Sequence, residues 1–438
     1  MTKPRILFIN RSYWPDTEAT GQLLTSLCEG LTDDYEVEVL AGSPNHVQNK
    51  KIAATVGMVR RHGVVIQRVS HTRFSKSSWL GRLLNLISFT VAAFLAILWR
   101  RPKPDLIITE TDPFFLPLLG QFAKWWHGVP FVAYLQDIYP DVAISVGKAK
   151  EGTVTRFLRR KLVAACNQAD RVVVLSEDMK ERCIANGVRH PLIDIIPNWA
   201  DCNLIRPVKV DNEFRKQHLL HDKFVVMYSG NLGMVHLLDP ILDAAVQLRN
   251  DSRITFVFIG EGVQKSKLMR QAADQELTNV RFFTYQPREY LSHSLSAADI
   301  QIISMLPTAK GCIVPSKLYG ILAAETAVLS LCPTDSDVSR LVEKEDVGVV
   351  CDPEPSETLA TRLATTIRRM ADHSESVQKQ GQRGRRLCFK EFDRPLQIRR
   401  FSSVMNRVLG SAGSNFPTRI PANPLSPVTD KEVSVSKL

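Results

Sequence analysis

Apolar runs of strand length alternate with helical periods along most of the chain, and several of these runs break at glycine. Phe224–Gly230 (FVVMYSG) is one; Asn231–Leu232–Gly233 follows, and a helical period takes over from about Leu238 to Leu248. Ile254–Gly260 (ITFVFIG) repeats the pattern, runs into Glu261–Gly262 and leads to a polar helix. In the N-terminal half, Arg5–Asn10 (RILFIN) breaks into a long polar loop, SYWPDTEATG. Gly21 then opens a helix through Leu31, and YEVEVLAG supplies the next strand. Strand, glycine turn, helix and strand in this order predict an α/β fold with doubly wound parallel sheets, whose ligands gather at the carboxyl ends of the strands.

The stretch Pro307–Ser330 (PTAKGCIVPSKLYGILAAETAVLS) carries the clearest chemistry. Ile313–Val314–Pro315 enters extended, Ser316 takes the N-cap position, and a helix is expected over Lys317–Ala324 ahead of a buried strand. Free backbone N–H groups at such a start favour an anion. Lys317 sits badly against the helix dipole there, so an anionic partner would offset it; a plain capped helix with a solvated lysine is the alternative. Candidate binding positions are therefore Pro315, Ser316, Lys317 and Leu318, together with the turns Gly230, Asn231, Gly233 and Gly260, Glu261, Gly262.

A chain of 438 residues is expected to hold two or three domains, and its 44% hydrophobic content suffices for full cores. NWADCNLIRP, from Asn198 to Pro207, reads as a linker. It separates a first unit, 1–203, from a second, 204–394; helices are expected over Glu357–His373 and from Ser374 to about Phe389, and a last one over Pro395–Leu409, within 395–410. From 411 to 438 the chain is rich in Ser, Pro, Asn and Thr without periodicity, the composition of a disordered tail. The eight cysteines are scattered with no C-x-x-C pair, which suits reduced core residues of a cytoplasmic protein. Met1–Lys3 leads straight into the first strand, unlike a signal peptide.

Charge adds a separate feature. Between Val39 and Pro104 stand eleven Lys or Arg (Lys50, Lys51, Arg60, Arg61, Arg68, Arg73, Lys76, Arg82, Arg100, Arg101, Lys103) and no Asp or Glu, and the whole-chain charge is +11. The remainder sums to zero. Inside the stretch lies Leu83–Trp99 (LLNLISFTVAAFLAILW), at 17 residues near the short limit for a spanning helix. It fits a buried core helix, a membrane span, or a helix that packs partly on the sheet and partly into a membrane interface held by its basic flanks. We adopt the last, with an anionic membrane surface as partner of residues 39–104. Nucleic acid is set aside, since stacking aromatics and a recognisable nucleic-acid module are missing.

Among the acidic residues, Asp137 and Asp141 of QDIYPD lie at the end of a buried strand, where Asp137 could orient or deprotonate an acceptor hydroxyl or could simply cap the next segment. Glu110 and Asp112 of ITETDPF are weaker candidates at a neighbouring strand end. His46 and His71, within the basic stretch, read as surface residues. The D-x-D at Asp335–Ser336–Asp337 reads as a helix start rather than a metal site, and no His/Cys/Asp cluster suggests another.

The order YSGNLG, FIGEG, VPSKLYGILAA, with PDLIITETDPF, PFVAYLQDIYPD, RVVVLSEDMKERCIANGV and IDIIPNWAD upstream, resembles the retaining family 4 glycosyltransferases over about residues 4 to 408. Within that family it is most similar to the capsule and exopolysaccharide subgroup of the colanic acid transferases. The resemblance implies a GT-B fold: two Rossmann-like domains facing a cleft, the first binding acceptor and the second nucleotide sugar, with the last helix crossing back onto the first domain. It also implies that the loop before Gly21 faces the cleft and that this glycine lets substrate approach. A sugar would pass from a nucleotide-diphosphate sugar to a lipid-linked acceptor in surface polysaccharide assembly, on the cytoplasmic face of the membrane, with Asp137 and Lys317 as the catalytic candidates and neither metal nor cofactor. The chain departs from the family at several positions. Its two glutamates eight apart are Cys312 and Gly320 here, the arginine after the first glycine turn is Asn231, and a following lysine gives way to Met234–Val235–His236. Phosphate neutralisation is then left mainly to the Gly230–Gly233 backbone, Ser316 and Lys317, with Lys310 as an addition, while Glu325 replaces a usual glycine. Two alternatives stay open: a catalytically silent nucleotide-sugar-binding scaffold of a membrane complex, and a GT-B nucleotide-sugar epimerase or phosphorylase.

Overall fold

The computed structural model describes residues 3–16, 18–44, 57–74 and 79–411. Its first sheet comprises β1 (Arg5–Ile9), β2 (Glu36–Gly42), β3 (Gly57–Arg61), β4 (Val64–Val69), β5 (Leu106–Thr109), β6 (Phe131–Tyr134), β7 (Arg171–Val174) and β8 (Ile193–Ile195), in the order β3-β4-β2-β1-β5-β6-β7-β8. The pairings are parallel except for the edge hairpin β3–β4. Ile6, Leu7 and Phe8 of β1 are fully buried, as befits a strand covered on both faces by helices.

A second, wholly parallel sheet follows: β9 (Phe224–Ser229), β10 (Ile254–Ile259), β11 (Val280–Phe283), β12 (Ile300–Ser304), β13 (Ala327–Leu331) and β14 (Gly348–Val350), ordered β11-β10-β9-β12-β13-β14. Chain direction across each sheet switches beside its first strand, between β1 and β5 and between β9 and β12. A crevice opens at the carboxyl ends of strands that part in this way. The helix Arg394–Ser411 returns to the first sheet, where Phe401 lies 6.4 Å from the Phe8 ring and 5.1 Å from that of Tyr134.

The apolar run of the basic stretch forms the helix Trp79–Leu98. Phe89, Ala93 and Ile97 are fully buried in the first core, whereas Leu84, Ile87, Val91 and Leu95 lie on the opposite, exposed side. Among the described residues no helix is long and apolar enough to cross a membrane, so the spanning alternative is excluded. The charge picture needs correction too. Arg100 is buried against Glu38 and Gln67, Arg61 pairs with Glu29 and stacks over Trp14, and Arg68 donates to the carbonyls of Gly42 and Trp14. These arginines are spent inside the domain, two of them on carboxylates lying just outside the basic stretch. Lys50, Lys51, Lys76, the side chain of Arg82, His46 and the tail 412–438 lie outside the described residues.

Candidate functional site

At the end of β9 the chain turns through Gly230, with φ +140°, and Gly260 and Gly262 after β10 have φ +140° and +156°. The two turns pack on each other: a Cβ on Gly260 would stand 2.0 Å from the Gly230 carbonyl oxygen, and one on Gly262 would stand 2.4 Å from that of Leu232. Glycine is required at both by this close approach. Asn231 is exposed; its carbonyl accepts from the Tyr228 hydroxyl at 2.9 Å, and Gly233 offers its carbonyl to Gln264 Nε2 at 2.6 Å. Glu261 is paired with Lys265 at 2.7 Å.

Lys317 reaches this turn from the helix Lys317–Ala323. Its ammonium lies 3.4 Å from the centre of the Tyr228 ring and 3.4 Å from the point where a Gly230 side chain would begin, and among the described residues it has no hydrogen-bond partner although it is buried. Burial lowers its pKa to about 7, with only the Cys332 thiol acting in the opposite sense. The solvated-lysine alternative is thereby wrong. Ser316 does not cap: its backbone is helical, at φ −61° and ψ −20°, and its side chain makes no capping bond. Pro315 supplies its carbonyl to Leu318 N at 3.2 Å, and the Leu318 side chain is buried in the second domain. Lys310 is bound to Asp335 at 2.6 Å. Of the proposed cations, Lys317 alone stands without a carboxylate.

In the first domain, β6 ends at Tyr134 and Asp137 follows in the loop beyond it. Its carboxyl is half-buried, and its pKa is raised to about 6 by burial and then by the charge of Asp112. Asp112 accepts from Arg11 at 3.1 Å, and the buried Glu110, its pKa driven up by desolvation, accepts from Gln136 at 3.4 Å. Asp141 is the structural carboxylate of this segment, held by Arg159 at 3.1 Å and Asn186 at 3.4 Å. Asp137 makes no such bond among the described residues. Its loop nevertheless touches the second domain, because Ile138 N donates to the Cys312 carbonyl at 2.9 Å. A Cβ on Gly21 would lie 2.6 Å from Ser12 Oγ, so the glycine lets the helix Ala19–Gly30 pack closely against its own loop.

Residues 19–199 match the family model described as glycosyl transferase 4-like domain, and residues 210–386 match that of glycosyl transferases group 1. The chain belongs to this glycosyltransferase family. It is 27% identical over 376 residues to an Escherichia coli (strain K12) protein named as a colanic acid biosynthesis glycosyl transferase, WcaI, covering 83% of this chain and 92% of that one. A Pseudomonas aeruginosa protein named as a glycosyltransferase, WbjE, is 26% identical over 291 residues, 66% of this chain and 72% of the relative. Among solved structures, Anabaena HepE with UDP and glucose superposes with a TM-score of 0.70 at 18% identity, covering 92% of this chain and 99% of that one. Sucrose-phosphate synthase from Thermosynechococcus elongatus gives 0.73 at 15% identity, with 93% and 100% covered. These neighbours establish the GT-B fold of two facing parallel-sheet domains.

In this glycosyltransferase the departures from family pattern have distinct surroundings. Cys312 is buried, and a Cβ on Gly320 would meet Leu295 at 3.7 Å and Ile205 at 4.0 Å. Asp337 accepts from Asp178 N at 2.7 Å and from Arg340 at 2.5 Å, so both carboxylates of the D-x-D are engaged by protein groups. Ser336 is the true N-cap there, accepting from Ser339 N at 3.3 Å. Sequence reasoning missed Tyr228, Ser304 and His236 as neighbours of the Gly230–Gly233 turn and Lys317. The tyrosine two residues ahead of Gly230 was the available signal, since a ring at that point supports the lysine.

Proposed function

We propose that the chain transfers a sugar, with retention, from a nucleotide-diphosphate sugar to a lipid-linked acceptor during surface polysaccharide assembly. The donor occupies the second unit, 204–394, and the acceptor the first, 1–203, with the Arg394–Ser411 helix joining them. The observation that carries this reading is the buried, partnerless ammonium of Lys317 beside Gly230 at the β9/β12 crevice. A buried charge without a partner is costly, and a diphosphate would supply the missing one. Asp137, in the loop after β6, would orient or deprotonate the acceptor hydroxyl. The reading fits attachment at the inner face of the cell membrane through the exposed side of Trp79–Leu98, without nucleic acid.

Lys317→Ala should weaken binding of the sugar nucleotide by about 1–3 kcal/mol and abolish most transfer of radiolabelled sugar to an extracted lipid fraction. Unchanged affinity and turnover would overturn the assignment. A silent scaffold, the reading favoured by Cys312, Gly320 and Asn231, would bind the nucleotide yet label no lipid. Because Asp335 and Asp337 are already engaged, activity should survive EDTA; loss restored by added Mg²⁺ or Mn²⁺ would disprove the metal-independent reading.

A further inference from the structure

The donor turn holds a second basic side chain. His236 follows the Gly230–Gly233 turn, and its Nδ1 lies 2.6 Å from the Ser304 carbonyl oxygen at the end of β12. A carbonyl only accepts, so Nδ1 carries the proton. Ser304 Oγ also accepts from Leu237 N at 2.6 Å, which fixes the backbone beside the ring. Nε2 has no protein partner among the described residues. The ring stands edge-on to Tyr228, 5.8 Å between centroids, on the residue that also carries the Lys317 ammonium. His236 and Lys317 thus flank one aromatic ring at the point where β9 and β12 diverge.

We propose that His236 is a second ligand of the donor diphosphate, its Nε2 taking up a proton as the anion binds and donating to a phosphate oxygen. The proposal rests on the nucleotide-sugar reading above. Its chemistry balances simply: one proton moves from solvent to Nε2, and the Ser304 carbonyl, already bonded to Nδ1–H, supports the resulting cation. Burial and then the neighbouring Lys317 hold the imidazole neutral, with a pKa of about 3. The titratable groups facing the pair are each other, Tyr228 beneath them, Tyr285 beyond it and Cys332 behind Lys317; no carboxylate acts on either. Two cations cannot share this site without an anion. Binding of the anion should therefore let His236 become charged beside Lys317, which gives the diphosphate two cations at a site where the sequence offers Asn231 and Met234–Val235.

The test is calorimetry of UDP and GDP binding to the full chain at pH 6, repeated in buffers of different ionisation enthalpy to count protons. At this pH Lys317 is charged before and after binding, and the ligand's own titration cancels between parent and variant. His236→Gln, checked for an unchanged melting profile, should bind roughly ten-fold more weakly and take up fewer protons, by a sizeable fraction of one. Equal affinity and equal uptake would overturn the proposal. Weaker binding with unchanged uptake would also overturn it, making His236 a neutral packing residue. If the parent binds neither nucleotide, the donor reading fails first, and the proposal with it.

Discussion

Asp137 shows how one carboxyl reports on the surroundings of its strand end. Burial and the nearby charge of Asp112 raise its pKa from 3.8 to about 6. The folded state therefore binds the extra proton between those values, and this group's contribution to stability falls as pH rises through that window; above pH 6 the ionised form is held at a cost. An enzyme that uses it as base needs the ionised form. The acid limb of kcat/KM should then fall below about pH 6, and Asp137→Asn should lower kcat by roughly 10²-fold or more while leaving the fold as stable at pH 7.5 or more so. Near-parental turnover in that variant would return Asp137 to a structural role. The same residue illustrates what could be read beforehand. QDIYPD marked a strand end, but only the folded chain shows that Arg159 satisfies Asp141 and leaves Asp137 open.

At the scale of elements, strands were legible where both sheet faces are covered, because β1, β9 and β10 then read as continuous apolar runs. The edge hairpin β3–β4 was not, since Arg60, Arg61 and Arg68 break its pattern, and two of these arginines find partners far away in sequence. Ser316 failed as a cap because its backbone is already helical, a torsion that composition does not reveal. The other end of that helix explains Glu325, where a glycine was expected. Its φ is +57°, the left-handed conformation in which a helix ends most easily on glycine. Desolvation lowers the pKa of Lys209 to about 8, against which Asp299 and then the Glu325 carboxylate raise it, and its ammonium donates to the Ser296 and Ala298 carbonyls at 3.4 Å. Backbone strain and charge compensation thus oppose each other at one position. Glu325→Gly should stabilise the protein by about 1 kcal/mol in a Lys209→Met background and by clearly less in the parent, measured by urea denaturation. Equal effects in both backgrounds would show that the two residues are not coupled.

For the whole molecule, the question is what meets the outer side of Trp79–Leu98. Leu80, Leu84, Ile87, Val91 and Leu95 recur at helical spacing along it, 41–53% exposed, and Trp99, Trp125 and Trp126 are exposed at one end. Arg60, Arg73 and Arg101 are exposed on the same domain and pair with no carboxylate among the described residues, while Arg61, Arg68 and Arg100 are used internally. Apolar ridge and unpaired cations together suit the interface of an anionic bilayer, where each basic residue near the surface adds about 1 kcal/mol. Reversing Arg61 or Arg100 would be a poor test, since it would break pairs that hold the domain together. The informative variant is Leu84→Gln with Val91→Gln and Leu95→Gln, which alters only exposed positions. It should lose sedimentation with vesicles containing phosphatidylserine, keep the parental melting temperature, and still bind nucleotide in the second domain. Parental protein should be released in part by high salt, because screening removes the cationic share and leaves the apolar one. Sedimentation of the triple variant equal to that of the parent would show that this face does not carry the attachment, and concentration-dependent dimerisation lost in the same variant would assign the ridge to a second copy of the chain.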